Sequence, residues 1–169
     1  TGRAGTSSQG TGFNLEPEGM IITNRHVVEE ASLVEVTFSE ENRFLSRDIE
    51  IIEGYDLAIV RLKGQDLPYL PQVTDSMVEV GQTVTIIGNP LGFQRVSAQG
   101  PVENYLKTKN DLLVFAVAVT IAPGSSGSPV IDEMGRLVGI IYATGTIKGE
   151  DRALAIPAIA LLSHLTDTP

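Results

Sequence analysis

The sequence predicts an antiparallel all-β protein in two halves, finished by one C-terminal helix. Three observations carry this expectation. Short runs of β-branched and other apolar residues recur along the chain, Gly and Pro fall between them, and one stretch poor in β formers splits the runs into two sets.

The first set comprises Met20 to Thr23, Leu33 to Phe38 and Leu57 to Leu62. The second comprises Thr83 to Ile87, Leu112 to Val119, Pro129 to Ile131, Leu137 to Tyr142 and Ala153 to Ile156. Gly19, Gly54, Gly81, Pro90, Gly92, Pro123 and Gly135 stand where strands should end. Between Gln65 and Ser76 the pattern breaks around Pro68 and Pro71, and this stretch reads as the link between the halves. Helical spacing of apolar residues is confined to Ile156 to Leu165, with Pro157 suited to a first turn. The expected organisation is a linker-like segment over 1–11, a first β unit over 12–70, a second over 71–156, and a helix and tail over 157–169.

Of the 169 residues 42% are hydrophobic, enough to bury a real core in one compact domain or two small barrels sharing an interface. Asp and Glu number 21 against 12 Lys and Arg, a balance that argues against a nucleic-acid partner, which needs a basic stripe. The absence of Cys removes disulfides, thiolate nucleophiles and Cys-ligated zinc together. The acidic pairs Glu29-Glu30 and Glu40-Glu41 lack the spacing of a calcium loop, so no metal site and no cofactor is expected. No apolar run approaches the roughly 18 residues of a membrane helix, so no membrane contact is expected of this chain. The Gly, Ser, Thr and Ala-rich start reads as a flexible linker, consistent with a signal peptide or anchor upstream.

Three segments carry candidate chemistry. Ala122-Pro-Gly-Ser-Ser-Gly-Ser-Pro-Val-Ile131 sets Ser126 beside glycines just before an apolar strand. Such a turn can direct the N–H groups of Gly124 and Ser126 toward one point beside the Ser126 hydroxyl, making an oxyanion hole; it can also be a plain Gly/Ser-rich turn. Thr23-Asn-Arg-His-Val-Val28 places His26, one of two histidines, after an apolar strand. In Gly54-Tyr-Asp-Leu-Ala-Ile-Val-Arg-Leu62, Asp56 stands at the mouth of a strand that must be buried. There it is either a solvated turn residue or a carboxylate satisfied by a hydrogen-bonding partner. The chain order His26, Asp56, Ser126 is that of the chymotrypsin-type triad.

With these residues the chain resembles the trypsin-like (chymotrypsin-fold) serine proteases, most closely their HtrA-like branch. The matching segments are Gly10-Thr-Gly-Phe13, Ile22-Thr-Asn-Arg-His-Val-Val28, Asp56-Leu-Ala-Ile-Val60, Gly88-Asn-Pro-Leu-Gly92, Pro123-Gly-Ser-Ser-Gly127 and Ala155-Ile-Pro157. The resemblance implies two six-stranded antiparallel β-barrels, with His26 and Asp56 on the first, Ser126 on the second and the site in the cleft between them. It also implies a structural role for the Asn89-Pro90 turn. Ser125 and Ser128 depart from the family's usual Asn and Gly at those places. Ending at Pro169, the sequence reads as a protease domain without a PDZ domain, and a monomer is expected over a trimer.

The activity implied is peptide-bond hydrolysis of protein or peptide substrates: Ser126 as nucleophile, His26 as base, Asp56 orienting the imidazole, and the Gly124 and Ser126 N–H groups binding the oxyanion. The HtrA-like resemblance also implies an exported or membrane-tethered location in a bacterial envelope. For the primary specificity pocket the resemblance points to Thr120 and Ile121 at the base, and Tyr142, Ala143, Thr144 and Ala155 in the walls. With no carboxylate there, cleavage is expected after small or medium aliphatic residues. Two alternatives stay open: an inactive peptide-binding scaffold, and glutamyl-endopeptidase-like acidic specificity supplied by Lys148 or Arg152.

Overall fold

The computed structural model describes residues 9–39, 41–88, 96–121 and 124–166. Segment 1–8, Glu40, the Asn89-Pro90 turn with Gly92, the Ala122-Pro123 pair and the tail 167–169 lie outside the described residues. Strands dominate, and both halves of the expected all-β chain are present.

The first half contains β1 (Phe13–Asn14), β2 (Met20–Thr23), a single helical turn α1 (Arg25–Val28), β3 (Val34–Ser39), β4 (Asn42–Ser46), β5 (Ile49–Ile52) and β6 (Leu57–Arg61). They pair antiparallel in the order β1-β2-β6-β5, with β3 and β4 as a separate hairpin. The expected closed ladder of six is therefore not formed here by backbone bonds among the described residues. Side chains do the closing: Val34, Val36, Phe38 and Phe44 of the hairpin pack with Ile21, Ala58 and Val60 of the sheet and Val28 of α1.

The second half is β7 (Thr83–Gly88), β8 (Val96–Lys107), β9 (Leu113–Val117), β10 (Pro129–Ile131), β11 (Leu137–Ile147) and β12 (Glu150–Pro157), a closed six-stranded barrel in the order β10-β11-β12-β9-β8-β7. Phe115, Val84, Ile86, Val102, Val117 and Ile141 fill it. Strand β8 runs through Gly100-Pro101 and lies outside the apolar runs marked in the sequence. Gly100 belongs there because a Cβ would lie 2.6 Å from Val119.

Helix α2 (Ala158–Thr166) follows β12 directly, so Pro157 ends a strand instead of opening the helix. A shared apolar seam holds the halves together: Phe13, Ile22, Leu57 and Ile59 meet Leu137, Ile140, Ile156 and Leu161, with Leu161 supplied by α2. The link between the halves is hydrogen-bonded to both, through Leu67 N–H to Pro17 O at 2.9 Å and Thr74 N–H to Leu137 O at 3.0 Å.

Helix α2 is also tied to the first half by charge. Glu50 on β5 accepts from His164 Nε2 at 2.7 Å and pairs with Arg61 at 2.8 Å. The hydrogen bond from His164, then that from Arg61, holds the Glu50 carboxyl below its ordinary value. Its stabilising contribution is therefore complete above the unfolded-chain value and lost as pH falls through the lower, folded one. Glu50→Gln should lower the denaturant midpoint at neutral pH and flatten its fall below 4.5, the ordinary glutamate value. An acid limb identical to that of the wild type would show that the clamp contributes nothing.

Candidate active site

His26 sits on α1, whose single turn leaves most backbone donors without helical partners. Asp56, in the tight turn before β6, fills that need from across the sheet. Its Oδ1 accepts the His26 backbone N–H at 2.9 Å and its Oδ2 pairs with His26 Nδ1 at 2.6 Å. A carboxylate only accepts, so Nδ1 is the donor, and in the neutral imidazole Nε2 then keeps its lone pair. Asn24, fully buried, donates from Nδ2 to Asp56 O at 2.9 Å and locks the two segments together. The His26 side chain remains 47% exposed, open to whatever enters the cleft.

Ser126 lies on the turn before β10, and three successive carbonyls of that turn are anchored. Gly124 O accepts Thr11 Oγ1 at 3.0 Å, Ser125 O accepts Ser128 N–H at 3.0 Å together with the Ser128 hydroxyl, and Ser126 O accepts Thr11 N–H at 2.9 Å. Gly124 and Gly127 both adopt positive φ, at 88° and 94°. Among the described residues the N–H groups of Gly124 and Ser126 have no protein acceptor, whereas Gly127 N–H donates to Ile141 O at 2.8 Å. Gly10 brings His26 and Ser126 into one neighbourhood: a Cβ there would lie 2.8 Å from Val27 and 3.4 Å from Ser126 O. No hydrogen bond joins Ser126 Oγ to His26 among the described residues, a spacing common in ligand-free sites, where such bonds tighten on substrate binding.

Two cavities flank these groups. One of about 220 Å³ beside Ser126 is lined by Ile121, Ile141, Ala143 and Thr144 with the turn itself, and no charged side chain is among them. The other, about 440 Å³, lies beside His26 and Asp56, with Tyr55, Leu112 and Tyr142 in its walls. Of the expected pocket residues, Ile121, Ala143 and Thr144 therefore line the cavity at Ser126. Thr120 is exposed and Ala155 is fully buried in the barrel core, and neither lines it. Tyr142 lies on the His26 side, opposite Ile141 and Ala143 as strand alternation dictates, and the bulge between Ile141 and Ala143 breaks that alternation so that Thr144 shares the Ala143 side. Burial, and secondarily the nearby Asp56 charge, push its phenol pKa up. Ile141 takes the place in the pocket that the sequence reading had given to Tyr142. Arg152 is held by Glu103 at 2.6 Å and Glu150 at 2.7 Å, and Lys148 is at the exposed tip of the β11–β12 hairpin. Among the described residues no group of three or more His, Asp or Glu side chains could hold a metal ion.

The family model of the trypsin-like peptidase domain matches residues 10–140, from the glycines at the cleft to the strand after Ser126. The chain belongs to this family. Within it, the chain is 33% identical over 138 residues to a probable periplasmic serine endoprotease, DegP-like, of Chlamydia pneumoniae, covering 78% of this chain and 28% of that protein. A protein of the same description from Hahella chejuensis is 34% identical over 175 residues, covering 95% of this chain and 36% of its own length. The chain thus spans well under half the length of these curated relatives. Among solved structures, the HtrA-type protease AlgW with a decapeptide superposes with a TM-score of 0.81 at 23% identity, covering 94% of this chain and 51% of that one. An inactive serine-to-alanine variant of a protein from M. tuberculosis gives 0.78 at 21% identity, covering 95% of this chain and 83% of that one. At such identities these two likenesses speak for the chymotrypsin-like fold alone.

In this trypsin-like domain Thr11, Thr23 and Asn24 were not singled out from the sequence; at the flanking Gly10 and Gly12 a Cβ would lie 2.8 Å from Val27 and 2.9 Å from Ile21. The tightest approach is at Gly127. A Cβ there would lie 1.8 Å from Thr11 O and 2.8 Å from Thr23 Oγ1, besides the strain of positive φ. Gly127→Ala should therefore cost about 3 kcal/mol or more in denaturant unfolding, the upper end for a strained backbone position. A variant of near wild-type stability would mean that the turn can retreat from Thr11.

Proposed function

We propose that the chain is a serine endopeptidase acting through His26, Asp56 and Ser126. The observation that carries this reading is the two-point grip of Asp56 on His26, made in a trypsin-like domain whose serine turn is anchored nearby. Ser126 Oγ attacks the scissile carbonyl carbon while its proton passes to His26 Nε2, and the oxyanion is received by the Gly124 and Ser126 N–H groups. Each such donor is worth about 100 to 1,000-fold in rate. Collapse of the tetrahedral species breaks the C–N bond as His26 returns the proton to the leaving amine. Water, activated in turn by His26, releases the acyl group from Ser126.

Substrates are read as extended or unfolded protein segments whose backbone adds a strand at the cleft. The cavity at Ser126, small and without a charged lining side chain, supports cleavage after Val, Ala or Leu. The engagement of Arg152 by two carboxylates argues against acidic specificity. An extracytoplasmic, bacterial-envelope location is proposed on the strength of the relatives described as periplasmic. The second reading is an inactive scaffold or a form needing activation.

A fluorophosphonate probe separates these readings: stoichiometric labelling that is lost in Ser126→Ala supports the enzyme, and no labelling of folded protein supports the scaffold. Asp56→Asn should place an N–H donor opposite Nδ1, trap the wrong tautomer and lower kcat by about 10,000-fold, the drop reported for that change in the triad template. A loss under about tenfold would remove Asp56 from the orienting role. Mass-spectrometric profiling of a denatured protein digest should show Val, Ala or Leu before the cleaved bond. A dominant Glu or Asp signal would overturn the pocket assignment.

A further inference from the structure

We infer that the Thr11 hydroxyl is a positioning group for the oxyanion-binding turn, an inference that rests on the peptidase reading. Thr11 is buried, and its hydrogen bonds tie the serine turn of the second half to the first. Its Oγ1 donates to Gly124 O at 3.0 Å, its N–H donates to Ser126 O at 2.9 Å, and its carbonyl accepts Thr23 Oγ1 at 2.8 Å on the strand that leads to His26.

Because a trans peptide is planar, anchoring a carbonyl also fixes the direction of the N–H on the next residue. The Thr11 hydroxyl on Gly124 O therefore sets the 124–125 plane and aims Ser125 N–H away from Thr11. Ser128 sets the 125–126 plane and with it Ser126 N–H. Thr11 N–H sets the 126–127 plane, whose own N–H is received by Ile141 O at 2.8 Å. Within this sequence of planes the bond from Thr11 Oγ1 is the one nearest Gly124 N–H. Gly124, at a φ of 88°, has no side chain to resist rotation once the bond is lost. Ser128 cannot substitute for it, since its hydroxyl is engaged at Ser125 O. Thr11 thus pins the turn that carries the oxyanion donors at the Gly124 and Ser126 carbonyls, on either side of the peptide that Ser128 holds, and ties it to the strand that leads to His26, without touching substrate.

Thr11→Val keeps the shape and removes the hydroxyl, while Thr11→Ser keeps the hydroxyl. On a peptide substrate Thr11→Val should lower kcat by about 10 to 100-fold, less than the loss of a whole oxyanion donor, with KM moving less than about threefold. Affinity for a peptidyl boronate, which mimics the tetrahedral species, should fall in parallel, whereas Thr11→Ser should stay within about threefold of wild type on both counts. A residue that merely packs would instead lose melting temperature and leave the balance of kcat and KM alone. In Thr11→Val the Gly124 and Ser125 amide signals should also shift and exchange faster, a readout that needs no turnover. Full kcat and boronate affinity in Thr11→Val, or equal losses in Thr11→Ser, would overturn the inference. If Thr11→Val does not fold, Thr11→Ala is read by the same criteria. An inert wild type would refute the peptidase reading itself, and the positioning role would then stand or fall on whether the Gly124 and Ser125 amides change.

Discussion

The close approach of Gly127 to the backbone of Thr11 is the constraint on which the candidate site depends. Two halves that share an apolar seam could slide relative to one another by an ångström at small energetic cost, because apolar contact is not directional. A backbone contact too tight for a Cβ, flanked by hydrogen bonds from Thr11 to both sides of the serine, permits no such slide. The seam of Phe13, Ile22 and Leu57 against Leu137, Ile140 and Leu161 supplies adhesion. The Thr11–Gly127 contact supplies register, and chemistry between groups on different halves needs register within a fraction of an ångström.

Electrostatics at the other side of the cleft follow an equally economical plan. A single turn of helix is too short to be stable alone. Asp56 caps it at His26 N–H and at the same time holds the imidazole ring, so that one carboxylate fixes the local fold and the tautomer together. Asn24 closes the arrangement from beneath, on the Asp56 carbonyl. Both oxygens of Asp56 are occupied by one residue, and the geometry of His26 then follows from that of β6, whose residues Leu57 to Val60 are fully buried.

The bulge in β11 adds a residue to the cavity at Ser126. Strict alternation would carry Tyr142 and Thr144 to the face opposite Ile141 and Ala143. With the bulge, Ile141, Ala143 and Thr144 contribute to the small cavity at Ser126, and Tyr142 joins Tyr55 and Leu112 beside Asp56. Burial, with the nearby Asp56 charge second, keeps the Tyr142 phenol neutral.

Strands with clean apolar runs, such as β2, β6 and β10, were legible from local pattern, and so was the order of His26, Asp56 and Ser126. Local sequence determined these because apolar periodicity and turn chemistry act over a few residues. Strand β8 was not legible, since it lacks a clean apolar run and is defined by its pairing with β7 and β9. The N-terminal segment read as a linker to residue 11, yet Gly10 and Thr11 are fixed parts of the cleft, because Thr11 is bonded to Gly124 and Ser126, more than a hundred residues away in the chain. Likewise Pro157 closes β12 instead of opening α2, through its pairing with Gly139. The sequence by itself determined the all-β class and the chemical groups at the cleft. Only the tertiary structure decided which cavity Tyr142 faces, what occupies Arg152 and what anchors the serine turn, since each rests on a contact between residues far apart in the chain.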